Sequence, residues 1–182
     1  MHQQVLSKNQ QELIPLLKHF SKEFGLVGGT AIALQLGHRH SIDFDLFQKK
    51  ELDIFSLRNQ VATFSPIERV MVENSGEFTL LVNGVQLTFL HYPFEIQFTN
   101  PFQDVIMMPT LLQLASMKAF ALNKRAKWKD YVDLYFILKN HSFLEIVSEC
   151  KQIFKEEFSE KLFREQLSYF DDLDYSEKVF FI

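Results

Sequence analysis

Three things are scarce in this sequence, and each scarcity removes a class of answer. There is a single cysteine, Cys150. No internal disulfide can form, and the chain is expected in a reducing, cytoplasmic setting. No apolar run approaches the roughly eighteen residues that a membrane span needs. The start, Met1-His2-Gln3-Gln4, lacks the charged-then-apolar pattern of a signal peptide. No membrane partner is expected. Positive charge is also short: 19 Lys and Arg stand against 23 Asp and Glu, for a net charge of −4. The chain as a whole therefore carries no nucleic-acid coat, and any such surface must be local. No repeat, low-complexity tract or flexible linker breaks the chain, so a second independent domain is not expected.

Phenylalanine, by contrast, is abundant, at 20 of 182 residues. An aromatic-rich core follows. A chain of this length can form one compact domain, or a small core with a helical appendage.

The stretch that organises the chain is Leu26-Val27-Gly28-Gly29-Thr30-Ala31, followed at a short distance by Arg39-His40-Ser41-Ile42-Asp43-Phe44-Asp45-Leu46-Phe47. Two glycines end a short apolar strand, and a helix-length segment follows. Then comes a strand carrying Asp43 and Asp45. Two residues apart on a strand, these carboxylates share a face. Ile42, Phe44 and Leu46 are expected to share the opposite, core-facing side. Like charges on one face repel, and a divalent cation between them, Mg²⁺ or Mn²⁺, best explains the cost. Gly28 and Gly29 let the backbone approach a ligand, and Thr30 suits a helix N-cap. The free N–H groups of a helix start attract phosphate. Arg39 is a candidate phosphate clamp, and Ser41 a ligand to phosphate or a guide for Asp43. A phosphate cradle beside a carboxylate pair suggests metal-assisted nucleotidyl or phosphoryl transfer. A Gly-Gly pair alone marks a turn, and Asp-x-Asp alone a solvated strand end. The order of the two across one short helix carries the chemical reading.

A second cluster lies at residues 114–135. Lys118 sits in an apolar, small-residue helix, placed either to snorkel or to reach a cleft. Asp130 and Asp133 share a face of the next helix, and a helical hairpin brings Lys118 near Asp133. Lys124, Arg125, Lys127 and Lys129, with Trp128 among them, make a loop that can grip an RNA backbone or simply be solvated.

These two blocks resemble the AbiEii-type toxin branch of the DNA polymerase β-type nucleotidyltransferase superfamily. The first carries Gly-Gly-Thr-Ala…Leu-Gly-His-Arg-x-Ser-x-Asp-Phe-Asp-Leu-Phe. The second carries Lys118 followed by Lys-Asp-x-x-Asp-Leu-Tyr. The likeness spans residues 24–47 and 109–138, and the last forty or so residues add nothing to it. It implies nucleotide contact for Lys118 and a catalytic or metal-supporting role for Asp133, with Asp130 structural. It also implies a nucleoside triphosphate substrate, ATP, GTP or CTP, and an acceptor hydroxyl on a tRNA 3′ end or a protein. A partner antitoxin belongs to the same picture. One departure stands out. Many superfamily members place a third carboxylate on a later strand, and the matching position here is Thr88. Either Asp133 or Glu95 then supplies the missing function, or the metal geometry is incomplete.

The expected fold is α+β: a small mixed sheet with helices packed on it over residues 1–108, then a helical region over 109–182, in one compact unit. Expected helices run over Gln10–Phe24 (with Gly25 as its stop), Thr30–Leu36, Ile54–Phe64 capped by Asp53, Thr110–Leu122, Trp128–Leu138, Ser142–Phe154 and Ser159–Phe170. Expected strands are Leu26–Val27, Asp43–Phe47, Ile67–Glu73, Phe78–Val82, Val85–Leu90 and an edge strand at Gln103–Met107. Asn83-Gly84 reads as a two-residue hairpin turn. Two other functional readings remain open: a binding module that has lost its chemistry, and a metal-dependent phosphodiesterase acting on RNA.

Overall fold

The computed structural model describes residues 1–171 and 173–182. Their order of elements is mixed α+β. Helices α1 (Lys8–Glu12) and α2 (Ile14–Phe20) lead into β1 (Gly25–Val27), α3 (Gly28–Leu36), β2 (Asp43–Gln48) and α4 (Ile54–Phe64). Strands β3 (Ile67–Glu73), β4 (Glu77–Val82) and β5 (Val85–His91) follow, then the pair β6 (Phe98–Phe102) and β7 (Ile106–Pro109). Helices α5 (Leu111–Leu122), α6 (Trp128–Ile137), α7 (Phe143–Phe154) and α8 (Glu160–Gln166) complete the order.

The main sheet runs β1-β2-β5-β4-β3. Only β2 and β5 are parallel; the other neighbours are antiparallel. The turn at Asn83 and Gly84 has both residues at positive φ, 50° and 69°, the geometry that a tight two-residue hairpin needs. Strand alternation then sorts the sheet into two faces. Phe44, Leu46, Phe78, Leu80, Val82, Leu87 and Phe89 are buried on one face. Phe20 and Phe24 meet Phe89 there edge to face, at 4.8 and 5.2 Å between ring centres. The other face carries Asp43, Asp45, Glu77, Leu81, Gln86 and Thr88 and borders a cleft of about 850 Å³. Across that cleft stand α5 and the loop into α6.

Several boundaries differ from expectation. The helix expected over Gln10–Phe24 is two helices. The side chains of Ser7 and Gln10 cap the first reciprocally, and Pro15 enters near the start of the second. Without an N–H, proline cannot continue a helical ladder but is tolerated in a first turn. Gly25 is not a helix stop. It opens β1, and a Cβ there would lie 2.0 Å from ring carbons of Phe98. Thr30 is not an N-cap, because α3 already starts at Gly28 after Val27. Ile42 does not share the buried face of Phe44 and Leu46; it precedes β2 and is 73% exposed. Of the edge strand expected at Gln103–Met107, residues 103–105 are instead the bend of the separate β6–β7 hairpin, with Gln103 at a φ of 51°, and the strand itself begins at Ile106. Helix α8 stops at Gln166, four residues short of the expected end at Phe170. The chain then turns back, and Asp174 and Phe180 hydrogen-bond the backbones of Ala126, Trp128 and His40.

Gly25→Ala is expected to push the Phe98 ring off β1 and to destabilise the protein by about 1–3 kcal/mol, read from urea unfolding.

Candidate active site

The two carboxylates face the cleft together, as their spacing requires. Asp45 pairs in register with Val27 on one side and with Thr88 on the other; Asp43 pairs with Gln86. Gly28 sits directly against them. Its φ is 71°, and a Cβ there would lie 2.0 Å from Asp45 Oδ2. The second glycine serves a different neighbour: a Cβ on Gly29 would lie 2.4 Å from Arg39 Nη2. The glycine pair therefore admits a carboxylate and a guanidinium to the start of α3. No side chain caps that start, and both glycines border the cleft.

Thr30 and Ser41 lie behind the carboxylates and are buried. Thr30 Oγ1 donates to the Asp43 carbonyl, and its oxygen is 2.9 Å from Ser41 Oγ. Ser41 Oγ donates to Asp43 Oδ1 at 3.2 Å. Of the two partners expected for Ser41, a phosphate or Asp43, the hydroxyl here meets Asp43.

Burial and then the neighbouring Asp43 push the Asp45 carboxyl up to about 7, against the pull of Lys129, Lys118 and Arg125. Among the described residues nothing donates a hydrogen bond to the Asp45 carboxylate. Nor does any cluster of three or more His, Cys, Asp or Glu converge among them to hold a metal. The donor set is two adjacent carboxylates short of positive charge. That fits Mg²⁺, which binds through one or two carboxylates and takes its remaining oxygens from water and substrate phosphates.

The second cluster forms at the back of the site. Helices α5 and α6 do bring Lys118 to Asp133, at 3.1 Å, and Lys118 also lies 2.5 Å from Asp130. Asp133 is fully buried. It accepts from Arg39 Nε at 2.7 Å and Nη2 at 2.9 Å, with His38 Nε2 at 2.8 Å. Burial alone would raise its carboxyl. Lys118, His38 and Arg39 outweigh that and hold it well below the usual carboxylate range. Burial likewise disfavours the Lys118 charge, but Asp133 and Asp130 more than restore it. Asp130 sits in the first turn of α6 and is structural, taking Arg125 Nε at 3.2 Å.

Two expectations are corrected here. Arg39 is not a free phosphate clamp: Nε and Nη2 are spent on Asp133 and Nη1 on the His40 carbonyl. Neither candidate for the missing acid reaches the carboxylate pair. Asp133 is locked in its ion cluster and does not border the cleft, and Glu95 pairs with Lys49 at the surface, outside it.

Lys124, Arg125 and Lys127 from the loop before α6, and Lys129 from its first turn, all border the cleft, as does Lys118. Lys129 Nζ is 3.4 Å from Asp43 Oδ2. Lys124 rests over the Phe120 ring at 4.3 Å. Trp128 already packs against Tyr175, 5.5 Å between ring centres with the planes tilted by 37°. Sequence reasoning missed Glu177, which pairs with Lys127 at 2.5 Å and also with Lys129. Burial raises its carboxyl, but these two lysines hold it down to about 2. No local pattern could have placed a tail residue there. Glu77 and Thr79 were also missed, although the hairpin register implied by Asn83-Gly84 sets Thr79 opposite Thr88.

Comparison with known proteins gives a family and a fold. Residues 16–178 match the nucleotidyl transferase AbiEii toxins of type IV toxin–antitoxin systems. The chain belongs to that family. The match extends into the last forty or so residues, which carried no usable resemblance, and ends at residue 178, just past Glu177. An uncharacterized protein of Aquifex aeolicus is 28% identical over 177 residues, covering 92% of this chain and 84% of that one. Among solved structures, JHP933 from Helicobacter pylori aligns with a TM-score of 0.58 at 17% identity, over 81% of this chain and 75% of that one. The nucleotidyltransferase toxin MenT4 of Mycobacterium tuberculosis aligns with a TM-score of 0.51 at 15% identity, over 78% of this chain and 60% of the toxin. The shared element is the nucleotidyltransferase fold.

In this AbiEii-family chain the buried cluster joins the loop before β2 to α5 and α6. Removing its central charge should therefore cost more than any surface pair. Asp133→Asn leaves Arg39 and Lys118 buried without their main partner, and a loss of about 3–5 kcal/mol is expected in urea unfolding. Because the folded carboxyl titrates below its unfolded value of about 3.9, wild type keeps this contribution in full above that pH. It loses the contribution as pH falls toward the folded value, so the gap between wild type and variant should narrow in acid.

Proposed function

We propose that this protein transfers a nucleoside monophosphate from a nucleoside triphosphate to an acceptor hydroxyl, on an RNA or tRNA 3′ end or on a protein, as the toxin of a toxin–antitoxin pair. The observation that carries the reading is the single cleft in which Asp43 and Asp45, the glycine-opened start of α3, Lys118 and the cations of the 124–129 loop meet. Family membership supports the reaction class.

Asp43 and Asp45 are the residues that would hold Mg²⁺ or Mn²⁺; when bound, the ion neutralises charge growing on the α-phosphate and the departing pyrophosphate. The backbone at Gly28 and Gly29 receives the phosphates. Lys118 stays charged at the back of the cleft because Asp130 and Asp133 outweigh its burial, and it faces them as a compact point charge. Lys129, now shared between Asp43 and Glu177, adds a second. Thr30 and Ser41 keep Asp43 aimed, and Arg39 braces the site through Asp133. The acceptor oxygen bonds to the α-phosphorus, and the bond to pyrophosphate breaks with its electron pair going to pyrophosphate. The cations that border the cleft supply a path for a polyanionic acceptor.

One observation favours a second reading. Thr88 stands where many superfamily members carry a third acid, and a chain that had lost its chemistry would bind nucleotide without turning it over.

Purified protein incubated with each labelled nucleoside triphosphate, Mg²⁺ and total RNA separates these readings. Transfer of label to RNA or protein supports the proposal. Binding without turnover supports the second reading, and shortened RNA would mean phosphodiester hydrolysis. Asp43→Asn is expected to lower transfer by at least about a hundredfold, with an unchanged thermal melt showing the fold intact. Undiminished transfer in that variant would refute the mechanism.

A further inference from the structure

Taking the proton from the acceptor hydroxyl is the step for which the cleft offers no immediate group. In the reading above, Asp43 and Asp45 would hold a cation. Asp130 and Asp133 are sealed in the ion cluster, and Lys127 and Lys129 hold Glu177. Glu95 lies outside the cleft.

The sheet provides another route. Thr88 of β5 lies in register with Asp45 on the neighbouring parallel strand, and it borders the cleft. Thr79 of β4 lies in register with Thr88 on the other side. Their hydroxyl oxygens are 3.3 Å apart. Thr79 Oγ1 donates to Glu77 Oε1 at 2.7 Å. Glu77 borders the cleft too, and among the described residues no Lys or Arg pairs with it. Three polar side chains thus connect on one sheet face, across from β5 to β4 and then along β4, from beside the proposed metal-binding pair to a carboxylate with no ion-pair partner among the described residues. A threonine hydroxyl has one proton to give and lone pairs to accept another. Thr79, donating to Glu77, has its lone pairs free to accept from Thr88.

We propose that Thr88, Thr79 and Glu77 form a hydroxyl relay that carries the acceptor's proton to the Glu77 carboxylate. The inference rests on the nucleotidyl-transfer reading above and deepens it. As the acceptor oxygen bonds to the α-phosphorus, its O–H bond breaks and the proton passes to Thr88 Oγ1. Thr88 gives its own proton to Thr79, and Thr79 gives its proton to Glu77. Both threonines end neutral, with their hydroxyls reversed, and Glu77 ends as a carboxylic acid. It resets by releasing the proton to water at the cleft mouth. Thr88 is the member that touches the reacting group. Glu77 acts through the two threonines, as the sink that the missing third acid would otherwise provide.

The strands paired with β4 carry Glu68, Arg69 and Glu73 on β3 and His91 on β5, and the cleft that Glu77 borders is also lined by Lys118, Lys124, Arg125, Lys127 and Lys129. Arg58 already pairs with Glu73, at 2.6 Å. The His91 backbone N–H donates to Gly76, and its ring approaches the Lys50 carbonyl. None of them donates to the Glu77 carboxylate.

The test is steady-state transfer of label across a pH series, with the wild-type chain as reference. Glu77→Gln is expected to lower kcat by at least about a hundredfold, to leave KM for the nucleoside triphosphate unchanged, and to remove the acid limb of the kcat profile. Thr79→Val should behave alike, and Thr79→Ser should restore most of what Thr79→Val loses. Adding Thr88→Asp to Glu77→Gln places a carboxylate beside Asp45, where it can take the proton directly, and should recover activity. Thermal melts of each variant check folding.

Three results would overturn the relay: Glu77→Gln transferring at the wild-type rate with an unchanged pH profile, a loss confined to KM, or a folded double variant that stays inactive. A wild-type chain that binds nucleotide but transfers nothing would overturn the functional reading instead, and the relay with it.

Discussion

Two carboxylates on one pleat of a strand repel each other, and the rest of the site is arranged around that repulsion. Asp43 and Asp45 have no freedom to separate. Phe44 and Leu46, buried on the opposite face, pin the strand, and Val27 and Thr88 flank Asp45 in register. The stress appears as an Asp45 carboxyl pushed up to about 7 by burial and by its neighbour. Relief must come from positive charge. Lys129 already leans on Asp43, and the glycine at position 28 clears the room in which an ion and a triphosphate could supply the remainder.

Behind this pair, a second electrostatic unit solves the opposite problem. Beside His38, which hydrogen-bonds Asp133, Lys118 and Arg39 enter a nearly dry region, where an unpaired charge is costly. Asp133 and Asp130 balance them through short, charge-assisted contacts. The same residues tie the loop before β2 to the α5–α6 hairpin. A cleft wall carrying Lys118 is thereby held in register with a sheet face carrying the carboxylates. Motif residues that look catalytic in a linear reading are in part the frame that sets the distance between the two walls.

The cleft face of the sheet is unusually polar for its depth. Thr79 and Thr88 are nearly as buried as the apolar residues around them, and a buried hydroxyl needs a partner. They find each other and Glu77. Beside Asp45, hydroxyl and carboxylate oxygens thus lie within hydrogen-bonding reach of one another from Thr88 through Thr79 to Glu77. The C-terminal segment adds a further polar layer by bringing Glu177 to the lysines at the cleft mouth.

Much of this was written in local patterns. Alternation set both carboxylates on one face, because a strand has no other way to arrange residues two apart. Asn83-Gly84 determined a hairpin, since few residue pairs accept two positive φ values. Asp53 and Ser142 marked helix starts through side chains that reach only three residues away. The spacing of Lys118 and Asp133 foretold their meeting across one short turn between helices. What the sequence could not decide were the partners. Whether Arg39 met a phosphate or Asp133, whether Gly25 stopped a helix or made room for Phe98, and whether the tail touched the cleft at all depended on packing between segments tens of residues apart. Local propensity acts over a few residues. Ion pairs and ring contacts are settled by which surfaces the whole chain brings together, and only the tertiary structure records that choice.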